Sequence, residues 1–337
     1  MQTQKVRDEL MVIERIYLKL LIFSAAIAFN VGTDLTLAQS VVPPKFQIAT
    51  LLTKANAGDA QAQTNLGSAY ERGQGVTQDY AQAAEWFRKA AGQGNADAQY
   101  ELGMMFALGK GVPQDYAESA EMYQRAAAGF RKAAELGDAD AQSSLGTMYA
   151  FGLGVQQDYA QAASWWRKAA EQGNADAQFE LGSMYAVDGS EGVPQDYAQA
   201  AFWWRKAALQ GDVYAQDSLG GLYEDGNGVP QDYAQAAVWY RKAADQGDAD
   251  AQYELGILYY KGNGFPRSNV EAYFWLDIAA AGTNKPAGLG TRMNQDDLEK
   301  HARYANSRDE AAGHLTPDQL SKVQARARKY LSEHPHM

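Results

Sequence analysis

A Leu-Gly pair recurs through most of the chain at a nearly constant spacing, and this recurrence limits the possible folds more than any other feature. The pairs begin at Leu66, Leu102, Leu145, Leu181, Leu219 and Leu255. Their spacings are 36, 43, 36, 38 and 36 residues. A period of this size is typical of a solenoid, in which similar units stack and bury one continuous core. The 337 residues therefore favour one repeat array over two average domains.

Each unit has the pattern of two short helices. In the second unit, Asn95 has a typical N-cap side chain, which accepts a free backbone N–H at a helix start. Ala98, Leu102 and Phe106 then form one apolar stripe, and the glycines of 109–111 end the helix. Because helices of about twelve residues are marginal alone, we expect them to be buried against their neighbours.

The start of each second helix has the pattern of a capping box, an acidic residue followed three positions later by Gln or Glu. The pairs are Asp79/Gln82, Asp115/Glu118, Asp158/Gln161, Asp196/Gln199 and Asp232/Gln235.

The two irregular spacings have visible causes. Seven extra residues around Ala126–Arg131 amount to about two helical turns and predict a longer second helix in that unit. Two extra residues fall in the loop 188–191.

Aromatic residues recur in pairs in the second helices, as Trp165-Trp166, Trp203-Trp204 and Trp239-Tyr240. We interpret them as packing between helices. The alternative is an exposed aromatic cage or a platform for stacking bases, and the acidic charge of the chain argues against base stacking.

Residues 1–38 have the layout of a secretory signal peptide. Four basic residues precede an apolar stretch from Leu20 to Phe29, and cleavage is expected after Ala38. Ten helical residues reach about 15 Å, too short for the roughly 30 Å of a bilayer. An uncleaved anchor or an ordinary amphipathic helix is the alternative. We expect a periplasmic or secreted protein with no stable membrane span after cleavage.

The charge and the residue types exclude several function classes. The formal net charge is −11, and residues 39–282 carry 17 basic and 30 acidic side chains, so nucleic acid is a disfavoured partner. The absence of cysteine excludes disulfides, Cys-ligated metals and a thiol nucleophile. All four histidines lie in the C-terminal tail, so the repeats contain no base for a serine triad. We therefore expect no catalytic, cofactor-binding or metal site.

The repeats resemble those of the Sel-one-like repeat family, which are relatives of tetratricopeptide repeats. The matching residues are 96–99 (Ala-Asp-Ala-Gln), Leu102-Gly103, 109–112 (Gly-Lys-Gly-Val), Asp115-Tyr116 and 86–91 (Trp-Phe-Arg-Lys-Ala-Ala). The resemblance implies a right-handed α/α solenoid that acts as a scaffold for proteins or peptides, often in bacterial envelope signalling or secretion. We expect a non-enzymatic scaffold here, in envelope signalling or complex assembly. Some relatives are rich in cysteine and have reported penicillin-binding activity. Penicillin or cell-wall binding, or a β-lactamase-like activity, is therefore the alternative, although this chain lacks those cysteines.

A solenoid needs a cap at each end. We predict an N-terminal capping helix within 39–58, built on Phe46, Leu51 and Leu52, six repeats over 59–283, and a C-terminal helical cap and tail over 284–337. Within this last segment, residues 316–319 (Thr-Pro-Asp-Gln) predict a capping box. The apolar residues expected to dock that helix on the sixth unit are Leu320, Val323, Ala327 and Leu331. Residues 282–294 are interpreted as a linker.

One face of the first helices varies between units and is the candidate binding surface. By resemblance to tetratricopeptide repeats, this face lines a concave groove. Its candidate residues are Asp97, Tyr100, Met104, Asp140, Thr147, Asp176, Phe179, Ser183, Tyr214, Asp217, Asp250, Tyr253 and Tyr260. Carboxylates between aromatic side chains suit a peptide with Lys or Arg and an occasional apolar anchor. The alternative is that the aspartates lie only in first helical turns, where negative charge is stabilising by about 0.3–1 kcal/mol.

Overall fold

The structure is a computed structural model that describes residues 44–187, 193–282 and 295–334. All regular secondary structure in these ranges is α-helical, as the repeat pattern predicts. The fifteen helices are α1 (Pro44–Asn56), α2 (Ala60–Arg72), α3 (Tyr80–Gly92), α4 (Ala96–Leu108), α5 (Tyr116–Glu135), α6 (Ala139–Phe151), α7 (Tyr159–Glu171), α8 (Ala175–Ala186), α9 (Tyr197–Leu209), α10 (Val213–Asp225), α11 (Tyr233–Ala244), α12 (Ala249–Lys261), α13 (Asn269–Gly282), α14 (Gln295–Ala312) and α15 (Pro317–Glu333).

The helices form two compact units, with the division inside α8 between Ala177 and Gln178. In the N-terminal unit, α1 to α7 pack in chain order, each helix against the next. In the C-terminal unit, α9 to α14 also pack in chain order, and α15 packs against α13. The even-numbered helices from α2 to α12 are the first helices of the repeats. The odd-numbered helices from α3 to α13 are the second helices.

The Leu-Gly pairs serve helix packing. In each repeat the glycine lies against a large side chain of the second helix, which leaves no room for a Cβ atom. A Cβ at Gly146, for example, would lie 2.6 Å from Cδ1 of Trp166. The equivalent contacts are Gly67 with Phe87, Gly103 with Tyr123, Gly182 with Trp204, Gly220 with Tyr240 and Gly256 with Leu276.

The paired aromatic residues pack between helices, as predicted. Trp166, Trp203, Trp204, Trp239 and Tyr240 are all buried, while Trp165 is half-buried at the edge of a core cluster. The longer second helix is also confirmed, because α5 has 20 residues where its counterparts have 12 to 14. The two-residue insertion within 188–191 lies outside the described residues.

The predicted capping boxes are confirmed for the aspartate side chain but are wrong for the aspartate backbone N–H. The Asp79 carboxylate accepts hydrogen bonds from the backbone N–H groups of Ala81 and Gln82, as an N-cap does. The backbone N–H of Asp79, however, donates to the Tyr70 carbonyl at 2.9 Å, so it does not bond to the Gln82 side chain. The capping aspartates of α5, α7, α9 and α11 make the equivalent backbone bond to the preceding helix. This bond ties the two helices of a repeat together.

A row of buried glutamines links successive repeats, a feature that the local sequence pattern does not predict. Gln142 is 5% exposed, and its Nε2 donates to the carbonyl of Ala134 at 3.0 Å. Its Oε1 accepts from Gln172 at 2.8 Å. The same pattern recurs at Gln63 and Gln216, whose amides bond to Ala55 and Ala208. Each glutamine thus joins its own first helix to the end of the helix before it.

Replacing Gln142 with leucine should lower the free energy of unfolding by about 1–3 kcal/mol, because buried amide partners lose their hydrogen bonds. Equilibrium urea unfolding measures this loss. The matched control is Gln161→Leu on the exposed start of α7, expected within about 0.5 kcal/mol of the wild type. Equal effects of the two substitutions would show that the bonds made by Gln142 add nothing to stability.

Both ends of the array carry additional helices. At the front, Leu51 of α1 packs against a cluster with Ala55, Leu66 and Trp86, whereas Leu52 is 37% exposed. The side chain of Phe46 lies outside the described part of the structure.

At the back, Thr316 and Gln319 form the predicted reciprocal capping box with Pro317 in the first turn. Val323 and Ala327 are buried against the core of the sixth repeat, and Leu320 and Leu331 lie beside them. Helix α14 was not foreseen as a separate helix. It follows residues 283–294, which lie outside the described ranges.

Candidate functional site

In the N-terminal unit, the candidate face includes both exposed and buried residues. Asp97, Asp140 and Asp176 are exposed. Met104 and Thr147 are each only 8% exposed, and Met104 packs in a cluster with Tyr123 of the second helix of its repeat. Periodicity along one helix cannot reveal this burial, because it depends on the helix packed above.

Tyr100 lies between these two groups. It is half-buried, and its ring meets that of Tyr123 edge-to-face at 5.5 Å. Tyr123 in turn packs against Met104 in the core.

One aspartate at the start of a first helix contacts the next repeat. The Asp140 carboxylate accepts a hydrogen bond from Nδ2 of Asn174 at 2.8 Å. The pKa of Asp97 is raised by partial burial and then by the nearby charges of Asp138 and Asp140. Asp140 thus has a structural contact, whereas Asp97 lies among like charges.

Two glutamates that the sequence analysis did not select belong to the same surface. The pKa of Glu101 is raised to about 8, mainly by burial and then by the charge of Glu71. The pKa of Glu71 is raised by burial, and Arg72 and Lys110 partly oppose this effect. Glu71 and Glu101 are 30 residues apart, one on each of two successive first helices, so a search within one helix does not pair them. A comparison of acidic residues between successive first helices could have paired Glu71 with Glu101.

In the C-terminal unit, Phe179 and Ser183 surround Trp204. The indole Nε1 donates to the Phe179 carbonyl at 3.1 Å and contacts Oγ of Ser183 at 3.3 Å. The ring of Phe179 also packs against Tyr214, with centroids 6.0 Å apart. Phe179 of α8, Trp204 of α9 and Tyr214 of α10 therefore form one aromatic group, and Ser183 lies beside the indole N–H.

Asp217 is the centre of a second group of carboxylates. Burial, followed by the charges of Asp248 and Asp250, raises its pKa to about 8, and its Oδ1 is buried with no hydrogen-bond partner. Burial also raises the pKa of Asp248 to about 6 and that of Glu254, with help from Glu224, to about 7. Like charges held together in partial burial favour the protonated state.

The three candidates of the sixth repeat are all contacted by the C-terminal segment. Asp250 forms a 2.8 Å ion pair with Lys300 and accepts a hydrogen bond from the hydroxyl of Tyr304. The Tyr253 ring stacks on Tyr304 with centroids 4.5 Å apart. Helix α14 thus brings a cation and an aromatic ring to an aspartate and a tyrosine of the candidate face.

Contacts with α14 continue to the end of the first helix of this repeat. The Tyr260 hydroxyl donates to Glu310 at 2.7 Å and lies 3.2 Å from Nε2 of His314.

The electrostatic effect of this contact is visible at Asp250. Burial alone would raise its pKa, but hydrogen bonds from Lys300 and Tyr304 lower it below the ordinary value. The pKa of the neighbouring Asp217 is instead raised, by burial and then by the charges of Asp248 and Asp250, and its buried Oδ1 has no hydrogen-bond partner. Hydrogen bonds from α14 thus outweigh the effect of burial at Asp250, whereas burial and like charges dominate at Asp217.

Among the described residues, no group of three or more His, Asp or Glu side chains is arranged to hold a metal ion. None of the helices in the described ranges is both long and apolar enough to cross a membrane.

Comparison with known families decides what this architecture is. The family model described as "Sel1 repeat" matches residues 60–95, 96–129, 130–138, 139–174, 175–212, 213–248 and 249–284. The chain belongs to the Sel1 repeat family. The short match at 130–138 covers the end of the lengthened helix α5, next to the insertion. Sel1 repeats form scaffolds that typically mediate interactions between proteins and are generally not enzymes.

Solved structures of Sel1 repeat proteins are similar to this chain. A Sel1 repeat protein from Oxalobacter formigenes is 29% identical, covers 73% of this chain and 93% of its own, and has a TM-score of 0.56. This likeness supports an all-α solenoid of six to seven repeats. The protective antigen c5321 from uropathogenic Escherichia coli, with an SLR fold, is also 29% identical, over 86% of this chain and 79% of its own, with a TM-score of 0.35.

A third structure, immunity protein Pa5087 from Pseudomonas aeruginosa, is 19% identical over 79% of this chain and 82% of its own, with a TM-score of 0.39. A search of the curated proteins finds no match.

Proposed function

We propose that this Sel1 repeat protein is a non-enzymatic scaffold whose first helices bind a protein or peptide partner rich in lysine or arginine. The observation that carries the proposal is the crowding of carboxylates on this face in both units, which together with burial raises the pKa of Glu101 and of Asp217 to about 8. A cation placed near a carboxylate favours its charged form. Asp250 supports this reading within the chain, since its pKa is lowered where Lys300 and Tyr304 reach it.

We further infer that the protein works in the periplasm or outside the cell, in envelope signalling or complex assembly. The support is the basic and apolar leader of residues 1–38, which precedes the first described helix.

The experiment captures partners from fractionated cells and compares charge variants. The double variant Glu71→Gln with Glu101→Gln should reduce capture of a basic partner about tenfold or more, because it removes two carboxylates from the face. Capture should also strengthen as pH rises from about 6 to 8, because these carboxylates ionise in that interval and only the ionised form attracts a cation.

The matched control is the double variant Glu85→Gln with Glu118→Gln, which makes the same two chemical replacements at exposed positions of second helices. Equal loss in both double variants, or a captured partner that is acidic, would contradict the proposed surface. N-terminal sequencing of the exported protein should begin near Gln39. An intact N-terminus in the cytoplasm would contradict export.

A further inference from the structure

An open pocket of about 340 Å³ lies between α11, α13 and α15 in the C-terminal unit. Its residues come from second helices and α15, so it shares none with the candidate face. Three aromatic rings, those of Phe274, Trp275 and Tyr330, form an edge-to-face cluster with centroids 5.1–5.9 Å apart. A pocket of this size with aromatic walls and a few polar groups is typical of a site for a small ligand or a single side chain.

Three cations line the pocket, Arg241, Arg326 and Lys329. Each has a carboxylate partner: Asp245 for Arg241, Glu271 for Arg326 and Glu333 for Lys329. An anionic ligand must therefore exchange with one of these carboxylates.

One hydrogen-bond donor in the pocket wall has no acceptor. Trp275 is 1% exposed, and its buried indole Nε1 has no hydrogen-bond partner. Buried donors are nearly always paired, and an unpaired one costs about 1–3 kcal/mol. An acceptor from outside the chain would remove this cost.

Trp203 and Trp239 hold the equivalent repeat position, and their Nε1 atoms are also unpaired. Each of these two rings is covered by a lysine three residues later, Lys206 at 4.7 Å and Lys242 at 4.1 Å. Trp275 has Ile278 at that position, and its cation is Arg241 from the neighbouring helix. Trp275 therefore differs from its counterparts in having a guanidinium from another helix over its ring, and it lines the pocket.

The two arginines of the pocket differ in availability. Arg326 forms two hydrogen bonds to Glu271, at 2.5 and 3.1 Å, so its guanidinium is engaged. Arg241 has one 3.3 Å contact with Asp245, both side chains being about half exposed, and its guanidinium carbon lies 4.6 Å from the centre of the Trp275 ring. Exposed ion pairs of this kind are weak and readily exchange partners.

We propose that this pocket binds a carboxylate carried on an aromatic or apolar body, such as the C-terminal residue of a peptide or a small arylalkanoic acid. The carboxylate pairs with Arg241 and accepts a hydrogen bond from the indole N–H of Trp275, and its apolar body lies against the partly exposed ring of Tyr330. A guanidinium and an indole N–H both donate, which selects a carboxylate over an ammonium or a neutral amide. This site is separate from the proposed function, which concerns cations on the first helices.

The test follows the indole N–H signal of Trp275 by ¹H–¹⁵N NMR on the full chain, with Trp275→Phe to assign it. N-acetylphenylalanine should shift this signal saturably with a Kd of the order of 1 mM. The probe N-acetylphenylalaninamide has the same body without the charge and should bind about tenfold more weakly or not at all. A comparison of acetyl-Ala-Phe with 3-phenylpropionate separates the two sources, since the tighter ligand identifies a peptide C-terminus or a small acid.

Variants of Arg241 complete the test. Arg241→Gln should weaken N-acetylphenylalanine binding about tenfold, and Arg241→Lys should retain part of it. Lys242→Gln is the matched control, because it removes the same charge from the adjacent residue over Trp239 and should leave binding unchanged. The indole signals of Trp203 and Trp239 report that the fold is intact. No shift at about 20 mM ligand, or equal responses to acid and amide, would overturn the proposal.

Discussion

Replacement of Trp166 with alanine should lower the free energy of unfolding by about 3–5 kcal/mol, the usual cost of removing a large buried aromatic ring. The side chain is 3% exposed, and its indole Nε1 donates to the Ser143 carbonyl at 3.2 Å. Its ring also fills the space above Gly146, so the truncation leaves a cavity between α6 and α7. Urea unfolding followed by circular dichroism measures the loss.

The adjacent residue gives the matched control for this substitution. Trp165 is half-buried, and Nζ of Lys168 lies 3.9 Å from the centre of its ring. Trp165→Ala removes the same atoms and should cost about 1 kcal/mol, since less apolar surface returns to water. If both tryptophans cost the same, burial between the paired helices is not the source of the stability of this repeat.

Gly154→Ala should destabilise the N-terminal unit by roughly 2–5 kcal/mol. The backbone at Gly154 has a φ of +66°, in the left-handed region that costs other residues about 1–2 kcal/mol. An added Cβ would also lie 2.3 Å from the carbonyl carbon and oxygen of Tyr123 in the preceding repeat. Backbone atoms cannot rotate away, so overpacking adds about 1–3 kcal/mol. Thermal and urea unfolding of the variant check this sum.

Gly137→Ala separates the two contributions to that cost. Gly137 also has a left-handed φ, +98°, but an added Cβ would meet nothing within 4 Å. Its substitution should cost about 1–2 kcal/mol from backbone strain alone. If Gly154→Ala costs no more than Gly137→Ala, the contact with Tyr123 does not require glycine. The second glycine of the loop has equivalent contacts with α3 at Gly111 and with α9 at Gly228.

Much of the fold was predictable because the local signals repeat. N-caps, such as Asn95, and glycines after helices are local chemistry, and the same signals six times over leave little choice of helix bounds. The stripe of Ala98 and Leu102 predicts which side of each first helix is buried. The insertion near Ala126 lengthens α5 because whole turns can be added to a helix without changing which face it buries.

The candidate surface was less predictable because its chemistry depends on contacts between helices. The sequence places Met104 and Asp97 on the same face, but only packing with the neighbouring helix shows that one is buried and the other exposed. The raised pKa of Glu101 comes from burial and then from the charge of Glu71, which belongs to another repeat. At the far end, helix α14 contacts Asp250 and Tyr253 from about 50 residues further along the chain.

The amino-acid sequence by itself determined that this protein is an array of helix pairs with an acidic middle and aromatic packing between helices. It did so because caps, glycines and apolar stripes act over a few residues, and their period is written in the chain. Only the tertiary structure decided which glutamines become buried links, which carboxylates crowd one another and which candidate residues α14 covers. Those outcomes depend on distances between residues of different helices, and no local pattern specifies such distances.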